Sequence, residues 1–119
     1  MRYLLLLNND ASRVEEWRTQ SPEEQRRARE EEIPKWNELF AWLGERGIEV
    51  DGLELDDTAR VVKVRNGSVD VTDGPYVETK EIVGGYFLVT ADELDTAIEV
   101  AQRVPVAESG SVEIRPLDE

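Results

Sequence analysis

Two segments of this chain carry apolar side chains on both faces of a strand, and this pattern constrains the fold most. Tyr3–Leu7 is continuously apolar, and Val83–Thr90 holds two apolar residues on each side. Successive side chains of a strand point to opposite faces. Strands of this kind therefore belong to a sheet that is covered on both faces.

A long helix is predicted between Ser21 and Gly47. Ser21 is followed by proline and then by a glutamate at the third helical position, as in a capping box, and Gly47 is expected to end the helix in the left-handed conformation. Its first half is charged and is expected to be a solvated face with i, i+4 ion pairs. Pro34 lies inside this helix and is expected to kink or split it near residues 30–33.

Two further helical segments are predicted. Arg13–Gln20 is expected to form a short helical turn that packs Trp17 inward. Thr90 opens a second segment with the spacing of a capping box, Thr-Ala-Asp-Glu. An amphipathic stripe follows it and ends at Pro105: Leu94, Ala97, Ile98, Ala101 and Val104.

The middle of the chain predicts three strands. Ile48–Leu55 alternates imperfectly around Asp51-Gly52, which indicates a strand interrupted by a bulge. Ala59–Val64 and Ser68–Thr72 flank Asn66-Gly67, the strongest short signal for a β-hairpin.

The order of elements predicts an α+β fold in one domain, residues 1–119, whose last strand is Ser111–Pro116. Without the extra β-hairpin, the order is that of a ferredoxin-like βαββαβ fold. Both long helices then lie on one face of the sheet, so a second copy must cover the other face. We therefore expect a homodimer whose sheets meet through Leu4 and Leu6, or through the face that carries Phe87.

Charge and composition exclude several function classes. The 119 residues include 27 acids and 14 bases, for a net charge of −13, which disfavours nucleic-acid binding and favours neutral or cationic ligands. The absence of cysteine and histidine excludes thiolate nucleophiles and histidine bases. Gly84-Gly85 precedes a strand rather than opening a helix, so it is no phosphate loop.

Metal, cofactor and membrane sites are not expected either. The window from Val69 to Lys80 fails the EF-hand pattern, because Val71 and Lys80 stand where oxygen donors are needed. The apolar run near the N-terminus is too short for a signal or a membrane span, which predicts a cytoplasmic protein.

The candidate site is the stretch from Asp73 to Val89. A Gly-Pro turn follows Asp73, and an acidic segment with one lysine precedes Gly84-Gly85 and the strand. One interpretation is a capped turn with a solvated charge cluster. The other is that the turn holds ligand-binding residues at the mouth of a cleft near Asp73: Tyr76, Glu78, Thr79, Lys80 and Glu81.

This stretch closely resembles the signature of the YCII-related, or DGPF-domain, family, with a tyrosine at 76 in place of the usual phenylalanine. The matching positions are Asp73, Gly74, Pro75, Thr79, Lys80, Glu81 and Gly85. The resemblance spans Arg2 to Pro116 and implies a dimeric α/β barrel. In the wider group, enzymes look built around a histidine–aspartate pair. This chain has no histidine, so it departs from that pattern. Relatives are often encoded beside extracytoplasmic-function sigma factors, which implies a regulatory setting.

Three functions remain open from the sequence. The first is a small-molecule binding or regulatory module with a cleft near Asp73. The second is a histidine-independent enzyme in which Asp73 is the general acid or base and Lys80 or Tyr76 orients the substrate. The third is a purely structural dimer.

Overall fold

The computed structural model describes residues 1–74 and 80–119, which form a mixed α+β fold. The strands are β1 (Arg2–Asp10), β2 (Glu49–Glu54), β3 (Ala59–Arg65), β4 (Ser68–Gly74), β5 (Glu81–Thr90) and β6 (Ser111–Pro116). The helices are α1 (Ala11–Thr19), α2 (Pro22–Arg46) and α3 (Leu94–Arg103), and a 3-10 turn follows at Pro105–Glu108.

Four strands form the main sheet, in the order β2-β5-β1-β6, and every neighbouring pair is antiparallel. The two doubly apolar strands that the sequence singled out, β1 and β5, are its two central strands. β3 and β4 form a separate two-stranded sheet. The prediction of an α+β fold is confirmed.

The core lies between the main sheet and the long helices. The sheet presents the buried side chains of Tyr3, Leu5, Leu7, Phe87 and Val89. Against them pack buried residues of the long helices and their flanking segments, namely Leu39, Leu43, Ala91, Ala97, Val100, Ala101 and Val104. Burial of this apolar surface is the main force that holds the sheet and helices together.

Within residues 1–74 and 80–119, no helix packs on the other face of the main sheet. Leu4, Leu6, Tyr86 and Leu88 occupy this face, which we call the open face, and all four are half-buried. Phe87 lies on the helix side instead, where its ring meets Trp36 edge to face at 6.1 Å. The sequence left two faces as candidates for sheet-to-sheet contact. The face with Phe87 is not available for it, because the helices of the same chain cover that face.

Several local signals in the sequence correctly predicted where α2 begins and ends and where the hairpin turns. Ser21 caps α2 in a full capping box with Glu24, and Gly47 ends it at φ 66°. Asn66 and Gly67 both have positive φ, 51° and 77°, as a tight two-residue hairpin requires.

Pro34 does not split the helix. α2 is continuous from Pro22 to Arg46 with Pro34 inside it, so the predicted split is wrong. Pro34 and its neighbours Ile33 and Lys35 are exposed. Water can therefore hydrate the carbonyl that proline leaves without a donor, and the rest of the helix persists.

The bulge lies on a different strand from the one predicted. β2 pairs with β5 in unbroken register through Gly52, whereas the register of β1 against β5 shifts between Leu7 and Asn8 and passes over Gly84. A side chain at Gly52 would overlap the Tyr86 carbonyl oxygen. Gly52 therefore allows β2 to lie close to β5 and does not form a bulge.

The second capping box is also absent. α3 begins at Leu94 after Glu93, and no side chain caps it. Thr90, the predicted cap, is the last residue of β5 and pairs with Arg2 and Glu49, so its backbone belongs to the sheet. Among the described residues, no helix is long and apolar enough to cross a membrane.

Candidate functional site

Asp73 lies near the end of β4, opposite Arg60 of β3. Its carboxylate forms an ion pair with the Arg60 guanidinium at 3.0 Å, and its side chain is 85% exposed. Three predicted ligand-binding residues, Tyr76, Glu78 and Thr79, lie outside the described part of the chain.

Lys80 joins the signature stretch to α1. The Ala11 amide donates a hydrogen bond of 2.8 Å to the Lys80 carbonyl oxygen, and the Lys80 side chain is exposed. The start of β5 is therefore fastened to the first residue of α1 through the backbone.

Glu81 belongs to a polar cluster that links three strands. The Ser111 hydroxyl donates to Glu81 Oε2 at 2.7 Å, and Asn8 Nδ2 donates to Ser111 Oγ at 3.4 Å. These residues start β5, start β6 and lie in β1, at one end of the main sheet. Sequence reasoning identified Glu81 but missed Asn8 and Ser111, since no local signal joins residues so far apart.

A cleft with a volume of about 710 Å³ lies where α1, α2, the end of β2 and the start of β5 meet. We call it the α1–α2 cleft. Its lining residues are Asn9, Arg13, Val14, Glu16, Trp17, Gln20, Ala28, Arg29, Glu32, Glu54, Leu55, Asp56, Asp57, Ile82, Val83, Gly84 and Ser109. Neither Asp73, Lys80 nor Glu81 is in this lining, but the three residues directly after Glu81 are. The signature stretch therefore reaches the cleft through its strand.

Local hydrogen bonds fix the walls of the cleft. Asp10 caps α1 by accepting from the Ser12 amide at 2.9 Å and from the Ser12 hydroxyl, and these bonds lower the pKa of the Asp10 carboxyl. α2 is tied to α1 because Gln25 Nε2 donates to the Trp17 carbonyl oxygen at 2.8 Å. Gly84 lies close to the side-chain amide of Asn9, so a side chain at position 84 would displace that amide.

The floor of the cleft is apolar and its rim is charged. Val14, Trp17, Ala28 and Ile82 are half-buried. Arg29 lies over the Trp17 ring with its guanidinium carbon 5.2 Å from the ring centroid, which is within range of a cation–π contact. A flat aromatic surface beside charged groups is suited to binding a small organic molecule.

Acidic side chains outnumber basic ones around this rim. The acids Glu16, Glu32, Glu54, Asp56 and Asp57 face the two arginines Arg13 and Arg29. Arg29 approaches Glu54 at 3.6 Å, and Arg18 binds Asp57 at 2.9 Å and lowers the pKa of that carboxyl. The rim therefore favours neutral or cationic molecules over anions.

One polar group beside the cleft lacks a partner. The Gln20 side-chain oxygen is buried and accepts no hydrogen bond from any residue in the described ranges. A buried acceptor without a donor costs about 1–3 kcal/mol. The sequence predicted that Trp17 packs inward, but no pattern in it indicated that Trp17 and Gln20 would border the same cleft.

The described carboxylates around the α1–α2 cleft are too far apart to form a metal site. Within residues 1–74 and 80–119, no three acidic side chains lie close enough together to hold an ion.

Comparison with known proteins agrees with the signature. The YCII-related domain matches residues 1–119 of this chain. An uncharacterised protein of Rhizobium meliloti (strain 1021) is 32% identical over 119 residues, covering 98% of this chain and 92% of that protein. The chain therefore belongs to the family of YCII-related domain proteins.

Proposed function

We propose that this protein is a cytoplasmic small-molecule binding module whose ligand occupies the α1–α2 cleft. The observation that carries the proposal is the combination of a half-buried Trp17 and an acidic rim around a cleft of about 710 Å³. Ligand sites in proteins are concave, with volumes of about 300–1,000 Å³, and combine apolar surface with polar groups that orient the ligand.

The rim selects the ligand class. Five carboxylates against two guanidinium groups leave the cleft negative, so we propose a neutral or cationic organic ligand. A flat organic cation that stacks on Trp17 meets this requirement.

We further propose that the chain has a ferredoxin-like topology and works as a homodimer. With β3 and β4 set aside, the sheet order β2-β5-β1-β6 supports the split βαβ arrangement. The apolar open face supports sheet-to-sheet pairing into a dimeric α/β barrel, since Leu4, Leu6, Tyr86 and Leu88 have no helix over them.

We favour a binding function over an enzyme in which Asp73 is the general acid or base. A general acid or base must lie within hydrogen-bond reach of the bound substrate. Asp73 is 85% exposed, forms an ion pair with Arg60 and does not line the α1–α2 cleft.

The test is a ligand screen with matched tryptophan variants. Small amines, neutral metabolites and anions are assayed by thermal shift against the wild type, Trp17→Leu and Trp42→Leu. Trp42 is the control, because it lies at the other end of α2, beneath Arg46 and Arg103, outside the cleft. We expect cationic or neutral compounds to raise the wild-type Tm by mass action, and Trp17→Leu alone to abolish the shift.

A third variant separates the two candidate locations. Asp73→Asn leaves the α1–α2 cleft intact, so compounds that bind there must still stabilise it. Stabilisation that survives Trp17→Leu but disappears in Asp73→Asn would move the ligand to the region near Asp73. Stabilisation by anions alone would contradict the proposed ligand class.

A further inference from the structure

The β3–β4 hairpin has an apolar face that nothing in its own described chain covers. The pairs Val62–Val71 and Val64–Val69 stand directly across from each other on that face. All four side chains are more than half exposed, from 56% to 65%. A two-stranded hairpin alone in water is at best marginally stable. An exposed face of four valines is therefore expected to pack against another protein surface.

The hairpin also projects from the rest of the molecule. Ala59, Val61 and Gly74 at its base are half-buried, whereas every residue from 62 to 73 is exposed. The radius of gyration is 16.5 Å, whereas a compact chain of this length has one of about 13.5 Å. The hairpin is therefore an arm that reaches beyond the core.

Charge indicates what the arm contacts. Residues 59–74 carry three basic and two acidic side chains, a net charge of +1, so the remainder of the −13 chain carries −14. Successive side chains of a strand alternate between faces, so Lys63, Asp70 and Arg65 lie on the face opposite the valines. The valine face carries the Arg60–Asp73 ion pair and is neutral, so two acidic copies repel each other least where this face makes the contact. The acidity of the whole chain disfavours a polyanion as the occupant.

We infer that the hairpin arm packs its valine face on the body of a second copy of this chain. The inference rests on the proposed homodimer and adds the element that holds it. In the dimer, each arm covers apolar surface that neither copy can cover alone.

The experiment compares two neighbouring substitutions on one strand by sedimentation equilibrium. Val71→Asp puts a charge on the valine face, and Thr72→Asp puts the same charge on the opposite, equally exposed face of β4. We expect the first to weaken dimerisation at least about 100-fold, because it buries two unpaired carboxylates per dimer. We expect the second to change the dissociation constant by no more than about threefold.

A cross-linking measurement keeps the test independent of any folding defect. The chain has no cysteine, so Val64→Cys provides one attachment point for a photo-crosslinker. Mixed ¹⁵N-labelled and unlabelled copies should give isotopically mixed cross-linked peptides between the arm and the body. Cross-links confined to one copy would overturn the inference.

The two proposals fail differently. A wild-type chain that is monomeric at micromolar concentration would overturn the homodimer and the arm together. A wild-type dimer that Val71→Asp leaves equally tight would overturn the arm contact and leave the homodimer standing.

Discussion

The main sheet and the β3–β4 hairpin are built from the same kind of strand but differ in what covers them. Leu5 and Val89 of the main sheet are fully buried, whereas Val62 of the hairpin is 60% exposed. All three are apolar residues in antiparallel ladders. The comparison teaches that strand formation is local, whereas burial depends on which helices the topology brings over a strand.

The main sheet itself repeats this contrast across its two faces. Phe87 is buried against the helices, while its neighbours Tyr86 and Leu88 on the open face are only half-buried. The open face and the valine face of the hairpin are thus two apolar surfaces that no helix of the described chain covers. This agrees with a chain whose apolar burial is completed by a second copy.

The largest expected effect contrasts the core with the arm. Leu5→Ala should lower the free energy of unfolding by about 2–5 kcal/mol, because Leu5 is fully buried and its removal leaves a cavity. Val62→Ala should change monomer stability by no more than about 0.5 kcal/mol, since an exposed side chain loses little packing. Urea unfolding of both variants checks this, and equal losses would show that the hairpin face is buried in the monomer.

A second contrast uses glycines from the two regions. Gly52→Ala should destabilise by about 1–3 kcal/mol, because the added carbon overlaps the Tyr86 carbonyl oxygen and forces the strands apart. Gly67→Ala, in open space at positive φ, should cost about 1 kcal/mol. Gly44→Ala in α2 is the control and should stabilise the helix slightly. A neutral Gly52→Ala in thermal melts would contradict the close strand approach.

A third prediction concerns the pH dependence of the α1 cap in the body. The hydrogen bonds from Ser12 lower the folded-state pKa of Asp10, so its contribution is present above the ordinary aspartate pKa and is lost as the pH falls through the lowered value. Asp10→Asn should therefore flatten the decline of Tm between about pH 5 and about pH 2. Glu31→Gln removes the same charge from an exposed part of α2 and is the control. If the Tm of Asp10→Asn declined with falling pH as steeply as that of the wild type, the Asp10 cap would not contribute to acid stability.

The smallest effect is expected at Asp73 on the hairpin. Asp73→Asn breaks an exposed ion pair with Arg60 and should change stability by less than about 1 kcal/mol. Thermal melts at low and high salt measure this, and the difference should shrink further as salt screens the pair. A loss of several kcal/mol would mean that the carboxylate is buried in the folded protein.

Much of the fold was predictable because its signals are local. The Asn66-Gly67 turn, the Ser21 capping box and the doubly apolar β5 each specify their conformation within a few residues. The position of the bulge was not predictable, since Gly52 and Gly84 look alike until the pairing of β5 with both neighbours is known. Pairing of this kind is a long-range property.

The candidate site was less accessible from the sequence. Glu81 was singled out, but its partner Ser111 lies thirty residues away on another strand. The α1–α2 cleft joins Trp17 to Ile82 through tertiary packing that no spacing rule reports. Predicting such a cleft requires knowing how α1 and α2 sit on the sheet.

Hydrogen exchange across a dilution series tests the central claim most directly, namely that the body folds on its own chain while the arm is completed by a second copy. We expect the amides of β1 and β5 to stay protected at every concentration. The paired amides of β3 and β4 should be protected in the dimer and should lose that protection on dilution to the monomer. Hairpin amides as protected as those of β5 in the monomer, or insensitive to dimerisation, would contradict the account.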